Sequence, residues 1–156
     1  MALNFRISNV TAKSLADNFK TNVDIGSTAA VIDIRTGAQP ADPDTAATGT
    51  LLGTLTMSDP SFGSATDANP GGRITASAIT DDSSADATGT AGYFRIRATG
   101  TGADDVADGE CGTSGADLNF NTTSITSGST ISITSFTVAN TPSASIIGRG
   151  GMMMRR

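Results

Sequence analysis

The apolar residues of this chain change period at residue 29, and that change decides what it can fold into. Ahead of it, Ala12, Leu15, Ala16, Phe19 and Val23 recur at the spacing of one helical face, with Lys13, Asp17, Asn18 and Lys20 on the other. Ser8 or Asn9 suits an N-cap and Gly26 a C-terminal stop, so the spacing predicts one helix between them. A short strand is expected before it, where Leu3, Phe5 and Ile7 alternate with Asn4 and Arg6. Beyond residue 29 the period is two. Residues 29–35 (AAVIDIR), 50–57 (TLLGTLTM), 73–80 (RITASAIT), 92–98 (GYFRIRA) and 130–138 (TISITSFTV) read as strands, and 118–120 as a weaker one. Turn-rich stretches rich in Pro, Asp, Gly and Ser separate them at 36–48, 59–72 and 81–89. The fold class expected is mainly β: an antiparallel β-sandwich or jelly-roll-like domain with one N-terminal α-helix covering an open edge or face.

The 156 residues suffice for one core. With aromatics at 4 % and no Trp, that core must be built from Ile, Leu, Val, Ala and six Phe. Two regions are expected: a body over residues 1–138 and a C-terminal arm over 139–156. The body holds seven of the ten basic residues and all 15 acids, while the arm carries Arg149, Arg155 and Arg156. All but one of the acids are Asp, so the acidity is turn chemistry first, because Asp carboxylates bond nearby backbone N–H groups. A short echo, Asp44 to Thr50 (DTAATGT) and Asp86 to Thr90 (DATGT), reads as the same turn leading twice into a strand.

Histidine is absent, which removes Ser-His-Asp and Cys-His machinery and any His-containing zinc site. Cys111 is the only cysteine, so no intrachain disulfide forms, and no basic residue lies within ten positions to activate it. Asp104, Asp105, Asp108 and Glu110 form one acidic cluster, and Asp81, Asp82 and Asp86 another. Neither has the alternate ligands and central Gly of a calcium loop, and both read as solvated turns. The glycine-rich stretches around Gly100 and Gly148 do not stand between a strand and a helix, so no phosphate-binding loop is expected. No catalytic residue, metal or cofactor is expected, and the chain is not expected to be an enzyme. The net charge of −5 argues against a nucleic-acid partner, and no apolar run reaches the length of a membrane span. A soluble protein made in the cytoplasm, without a signal sequence, is the expectation.

The candidate interface residues are of three kinds. Arg95 and Arg97 alternate with Phe94 and Ile96, which puts both on one face, open either to solvent or to a neighbour's acids. Leu3, Phe5 and Ile7 form the second set. The third is the arm: Ile146, Ile147, Arg149, Met152, Met153, Met154, Arg155 and Arg156, an apolar and cationic segment suited to an irregular contact surface.

Four stretches, TGAQP (36–40), AATGTLL (46–52), GTAGYFR (89–95) and GTSGADLNFN (112–121), make residues 3–138 resemble a family of small structural proteins of tailed bacteriophages. The motifs are turn and strand features with no catalytic residue among them. The resemblance implies a virion structural role. The first expectation is a multi-copy or homo-oligomeric capsid decoration (cement) protein, bound to the major capsid protein or other virion subunits. A tail, collar, head–tail junction or fibre-associated subunit is the alternative. A carbohydrate- or receptor-binding module is weaker still, because exposed aromatics are few.

Overall fold

A computed structural model describes residues 6–26, 28–68, 71–102 and 104–140. Leu3 and Phe5 of the expected first strand, and the arm residues Ile146, Ile147, Arg149, Met152, Met153, Met154, Arg155 and Arg156, lie outside the described residues. The helix α1 spans Asn9–Val23. Its N-cap is Ser8, whose hydroxyl accepts from the Thr11 N–H, satisfying one of the donors a helix start leaves free. Ala12, Ala16 and Val23 are buried and Phe19 packs beside them, whereas Leu15 stays at the rim, 36 % exposed.

The strands are β1 (Val31–Thr36), β2 (Leu51–Met57), β3 (Thr66–Asp67), β4 (Gly72–Thr75), β5 (Ile79–Thr80), β6 (Gly89–Arg97), β7 (Asp105–Gly112), β8 (Leu118–Asn119), β9 (Ser124–Ile125) and β10 (Thr137–Asn140). They form two sheets. The larger runs β5-β2-β1-β6-β7-β8, with β9 paired to the start of β6, and the smaller runs β10-β4-β3. The protein is mainly β with one N-terminal helix and is sandwich-like, as its alternation predicts. It is not purely antiparallel, because β8 pairs with β7 in parallel.

One face of the larger sheet is apolar. Ile32, Ile34, Leu55, Phe94 and Ile96 are buried there, each alternating with a residue on the opposite face. Across the core lie the smaller sheet and α1, and four phenylalanines connect the layers. Phe94 on β6 meets Phe136 edge-on at 5.5 Å between ring centroids, Phe136 meets Phe62 at 6.2 Å, and Phe62 meets Phe19 of α1 at 5.9 Å. The helix lies against β4, β10 and β3, so it covers a face of the smaller sheet.

Polar residues of α1 fix the chain laid beside it. Asn9 Oδ1 accepts from the Gly71 N–H (3.2 Å), Asp17 Oδ1 from Ala65 (2.9 Å) and the C-cap Asp24 Oδ1 from Ser61 (2.8 Å). Asp17, on the face opposite the apolar stripe, therefore gives the Ala65 N–H an acceptor outside any ladder.

Two expected strands differ from their predicted form, and one strand forms where an acidic turn is expected. The stretch 73–80 is split between sheets: β4 belongs to the smaller, β5 to the larger, and residues 76–78 cross between them. That crossing is held by Ala76 N–H to the Phe136 carbonyl and Ser77 N–H to that of Ser61. The stretch 130–138 joins a ladder only from Thr137, and β10 runs on to Asn140. Finally, β7 was expected as an acidic loop. The two strands entered from the echoed turns, β2 and β6, flank β1 on either side.

Candidate functional site

The second face of the larger sheet carries the charges. Opposed residues of neighbouring strands share a face, and Thr54, Asp33, Arg95 and Asp108 stand opposite one another in a row across β2, β1, β6 and β7. The flanking rows bring Arg35, Tyr93 and Glu110 to one side and Val31, Arg97 and Asp105 to the other. A register shift between Ile96 and Arg97 is what lets Asp105 and Asp108, three residues apart, face the same way.

Arg95 is fully buried. Its Nε and Nη2 donate to the two carboxylate oxygens of Asp108, both at 2.6 Å, and its Nη1 donates to Asp105 at 2.6 Å and to the Thr45 carbonyl at 2.9 Å. The paired donation matches the planar fork of the guanidinium to a carboxylate. These bonds, those to Asp108 first, raise the Arg95 pKa above its ordinary value against the opposing effect of burial. Arg97 donates from Nε to Asp33 Oδ2 at 2.8 Å and from Nη2 to Oδ1 at 3.3 Å, which raises its pKa too. Asp33, 2 % exposed, also accepts from the Thr54 hydroxyl at 3.0 Å.

A loop between β1 and β2, residues 37–50, lies over this lattice as a strap. Tyr93, also fully buried, donates its hydroxyl to the Thr48 carbonyl (2.7 Å) and accepts from the Thr48 N–H (3.0 Å). Together with the bond from Arg95 to Thr45, that pins the strap at two points. At Gly92 an added Cβ would collide with the carbonyl of Gly37, so only glycine allows the strap this close to β6. The strap's own turn is held by Asp42 Oδ1, which accepts from the Thr45 N–H and hydroxyl at 2.9 Å each.

Arg95 and Arg97 share a face, as their alternation predicts, but that face is not a solvated one. The acids that Arg95 and Arg97 read are Asp33, Asp105 and Asp108 of the same chain, and the strap closes over Arg95. Only Arg97 keeps an outlet: its side chain is 40 % exposed and lines a cleft of about 260 Å³ with Pro43, Asp44, Ala98, Asp104 and Asp105. Sequence reasoning missed Asp33, Tyr93 and Asp108 as partners. The signal was present, since Asp33 and Arg35 alternate with Ile32 and Ile34 in the same way that Arg95 and Arg97 alternate with their neighbours.

The other expected candidates are placed as follows. Asp82 is structural: Oδ2 accepts from the Thr54 N–H (3.0 Å) and Oδ1 from Ser84 (3.0 Å). Asp117 accepts from the Glu110 N–H at 3.0 Å, which tethers the turn after β7. No cluster of three or more possible metal ligands occurs among the described residues. Cys111 is half-buried in β7, and burial, with Asp117 adding to it, pushes its thiol up to about 12. Ile7 is half-buried beside the N-cap.

The two ends of the body meet at one corner. Asn140 Oδ1 accepts from the Gly72 N–H (3.0 Å) and its Nδ2 donates to the Ala12 carbonyl (2.8 Å), while Asn9 binds the adjacent Gly71. Comparisons with protein-family models, with curated proteins and with solved structures find no match for the chain, so its chemistry is read from its own geometry.

Proposed function

We propose that this chain is a structural subunit of a virus particle, most specifically a decoration protein bound in many copies to the outside of an assembled head. The observation that carries the proposal is that Asn9 and Asn140, near the two ends of the described residues, meet at one corner with Ala12 and Gly72, on a body whose buried Arg95, Asp33 and Asp108 pair within the chain. A body whose two described ends lie at one corner is suited to anchoring through the segments that continue from them. Two weak contacts made from one point reinforce each other, because the first raises the effective concentration of the second. Leu3, Phe5 and Ile7 supply an apolar segment, and Ile146 to Arg156 an apolar, basic one that complements an acidic shell surface. This role is the one implied by the resemblance read from the four turn and strand motifs, and it is proposed on that footing.

The test is binding of the full chain to heads of the encoding virus that lack it. Hundreds of copies per head are expected at saturation, and few copies confined to the tail would refute decoration. Replacing Arg149, Arg155 and Arg156 together by Ala should weaken binding and flatten its salt dependence while leaving the melting curve unchanged. Unchanged affinity would remove the arm from the contact.

A further inference from the structure

The strap over the charged face, residues 37–50, is held to the body almost without apolar contact. None of its residues belongs to the apolar core or packs against it, and only Pro40, Pro43 and Ala47 are even half-buried. Burial of apolar surface is the main force that ties a segment to a fold, and here it is missing. Three hydrogen bonds hold the strap shut: those that the Tyr93 hydroxyl gives to and takes from Thr48, and that from Arg95 to the Thr45 carbonyl. A fourth, from Arg35 Nη1 to the Gly49 carbonyl, is stretched to 3.4 Å, and Arg35 Nε is buried with no partner among the described residues. The closed form thus carries an unmet buried donor beside the strap's end, which is a cost.

The ends of the strap, by contrast, are fixed. The Thr36 N–H donates to the Thr50 carbonyl at 3.0 Å and the Thr50 N–H to the Thr36 hydroxyl at 2.8 Å, which closes a neck. Just inside that neck stand two glycines in the left-handed region, Gly37 (φ 84°) and Gly49 (φ 70°), where backbone direction changes at low cost. The floor beneath is complete without the strap. Arg95 keeps Asp108 and Asp105, which come from β7, so lifting the strap takes no counter-charge away. Ile32, Ile34, Phe94 and Ile96 face the other side of the sheet, and the Tyr93 ring lies outside the apolar core, so no core is bared.

We propose that the strap opens and closes as a unit about its neck while α1 and both sheets stay folded, so that the charged face has a covered and an uncovered form. Opening exchanges a few hydrogen bonds for bonds to water, a small part of what global unfolding breaks. In the closed form Tyr93 and Arg95 are sealed from solvent; in the open form the Tyr93 ring and one Arg95 donor reach it. The cleft of about 260 Å³ between Pro43 and Asp44 of the strap and Arg97, Ala98, Asp104 and Asp105 of the body marks the line along which the two part.

Two measurements on the full chain test this. The first follows amide hydrogen exchange and nitration of Tyr93, the only tyrosine, under native conditions and in low urea. The Thr48 amide should exchange about a hundredfold faster than the amides of β1 and β6, and neither its exchange nor the nitration should respond to low urea. The second uses Gly92→Ala, whose Cβ would strike the carbonyl of Gly37. A separable strap yields to that clash alone, so nitration of Tyr93 should rise about tenfold while the circular dichroism and the urea midpoint stay nearly unchanged. Thr48 exchange and Tyr93 nitration that rise with urea at the slope of the β6 amides would overturn the proposal, since the face would then be uncovered only by global unfolding. So would a Gly92→Ala chain that unfolds entire, or one that folds with Tyr93 still unreactive.

Discussion

At Arg95 a guanidinium is taken wholly out of water, a cost offset only because two carboxylates and a carbonyl meet it in the geometry it needs. Removing one partner of such a group is worse than never having it. Arg95→Met should lower stability by about 3–5 kcal/mol, because Asp108 stays buried without its counter-charge. Arg95→Lys should recover only part of this, since one ammonium cannot span Asp108, Asp105 and Thr45. Urea unfolding measures both, and in each variant the strap amides near Thr45 should exchange faster. Alkali should not open the lattice. A base whose folded pKa is raised stabilises fully below its unfolded value and loses that contribution only above it, and for Arg95 both values lie beyond the working range. Cys111 follows the same sign, but in a window that can be reached. Its unfolded thiol ionises near 9.0 and its folded one at about 12, so the unfolded state releases its proton first and stability falls as pH rises between those values. Cys111→Ala should remove that alkaline slope in pH-dependent melting, and at pH 8 the native thiol should react with a disulfide reagent roughly a thousandfold more slowly than the unfolded one. The quiet cysteine was legible from the lack of basic neighbours. The burial of Arg95 was not, because the strap residue it binds, Thr45, is 50 residues distant in sequence and nothing local marks where it lands.

Elements were readable to the extent that their own pattern decides them. α1, β1, β2 and β6 carry regular apolar periods, and each forms where its period places it. β7 has no such pattern. Its sequence, DVADGECG, is made of residues that strands usually avoid, and it is a strand because Arg95 binds two of its acids and Phe94 packs against its glycine. A Cβ at Gly109 would sit 2.5 Å from the Phe94 ring. Gly109→Val, a gain in strand propensity, should therefore destabilise by about 1–3 kcal/mol in denaturant titration, the packing cost outweighing the preference. Similarly, spacing places Asp17 on the side of α1 away from the apolar stripe, but it does not show what is laid beside a carboxylate there or at the C-cap Asp24. Asp24→Ala should cost about 1–2 kcal/mol by freeing the Ser61 N–H, measurable as a lower urea midpoint.

In the whole molecule the two layers are joined through few large side chains, as the shortage of aromatics requires. Phe62 touches both Phe19 of the helix and Phe136 of the core, so Phe62→Ala should cost about 3–5 kcal/mol. If the layers form one cooperative unit, helix and sheet signals should still melt together in that variant, which circular dichroism and amide exchange can compare. The pairing of Asn9 and Asn140 with two consecutive glycine amides has a consequence for how such a body travels between genes. A unit entered and left through the same doorway can be spliced whole into a surface loop of an unrelated host protein. The host's chain would be diverted and returned at nearly the same place, with neither fold pulled open.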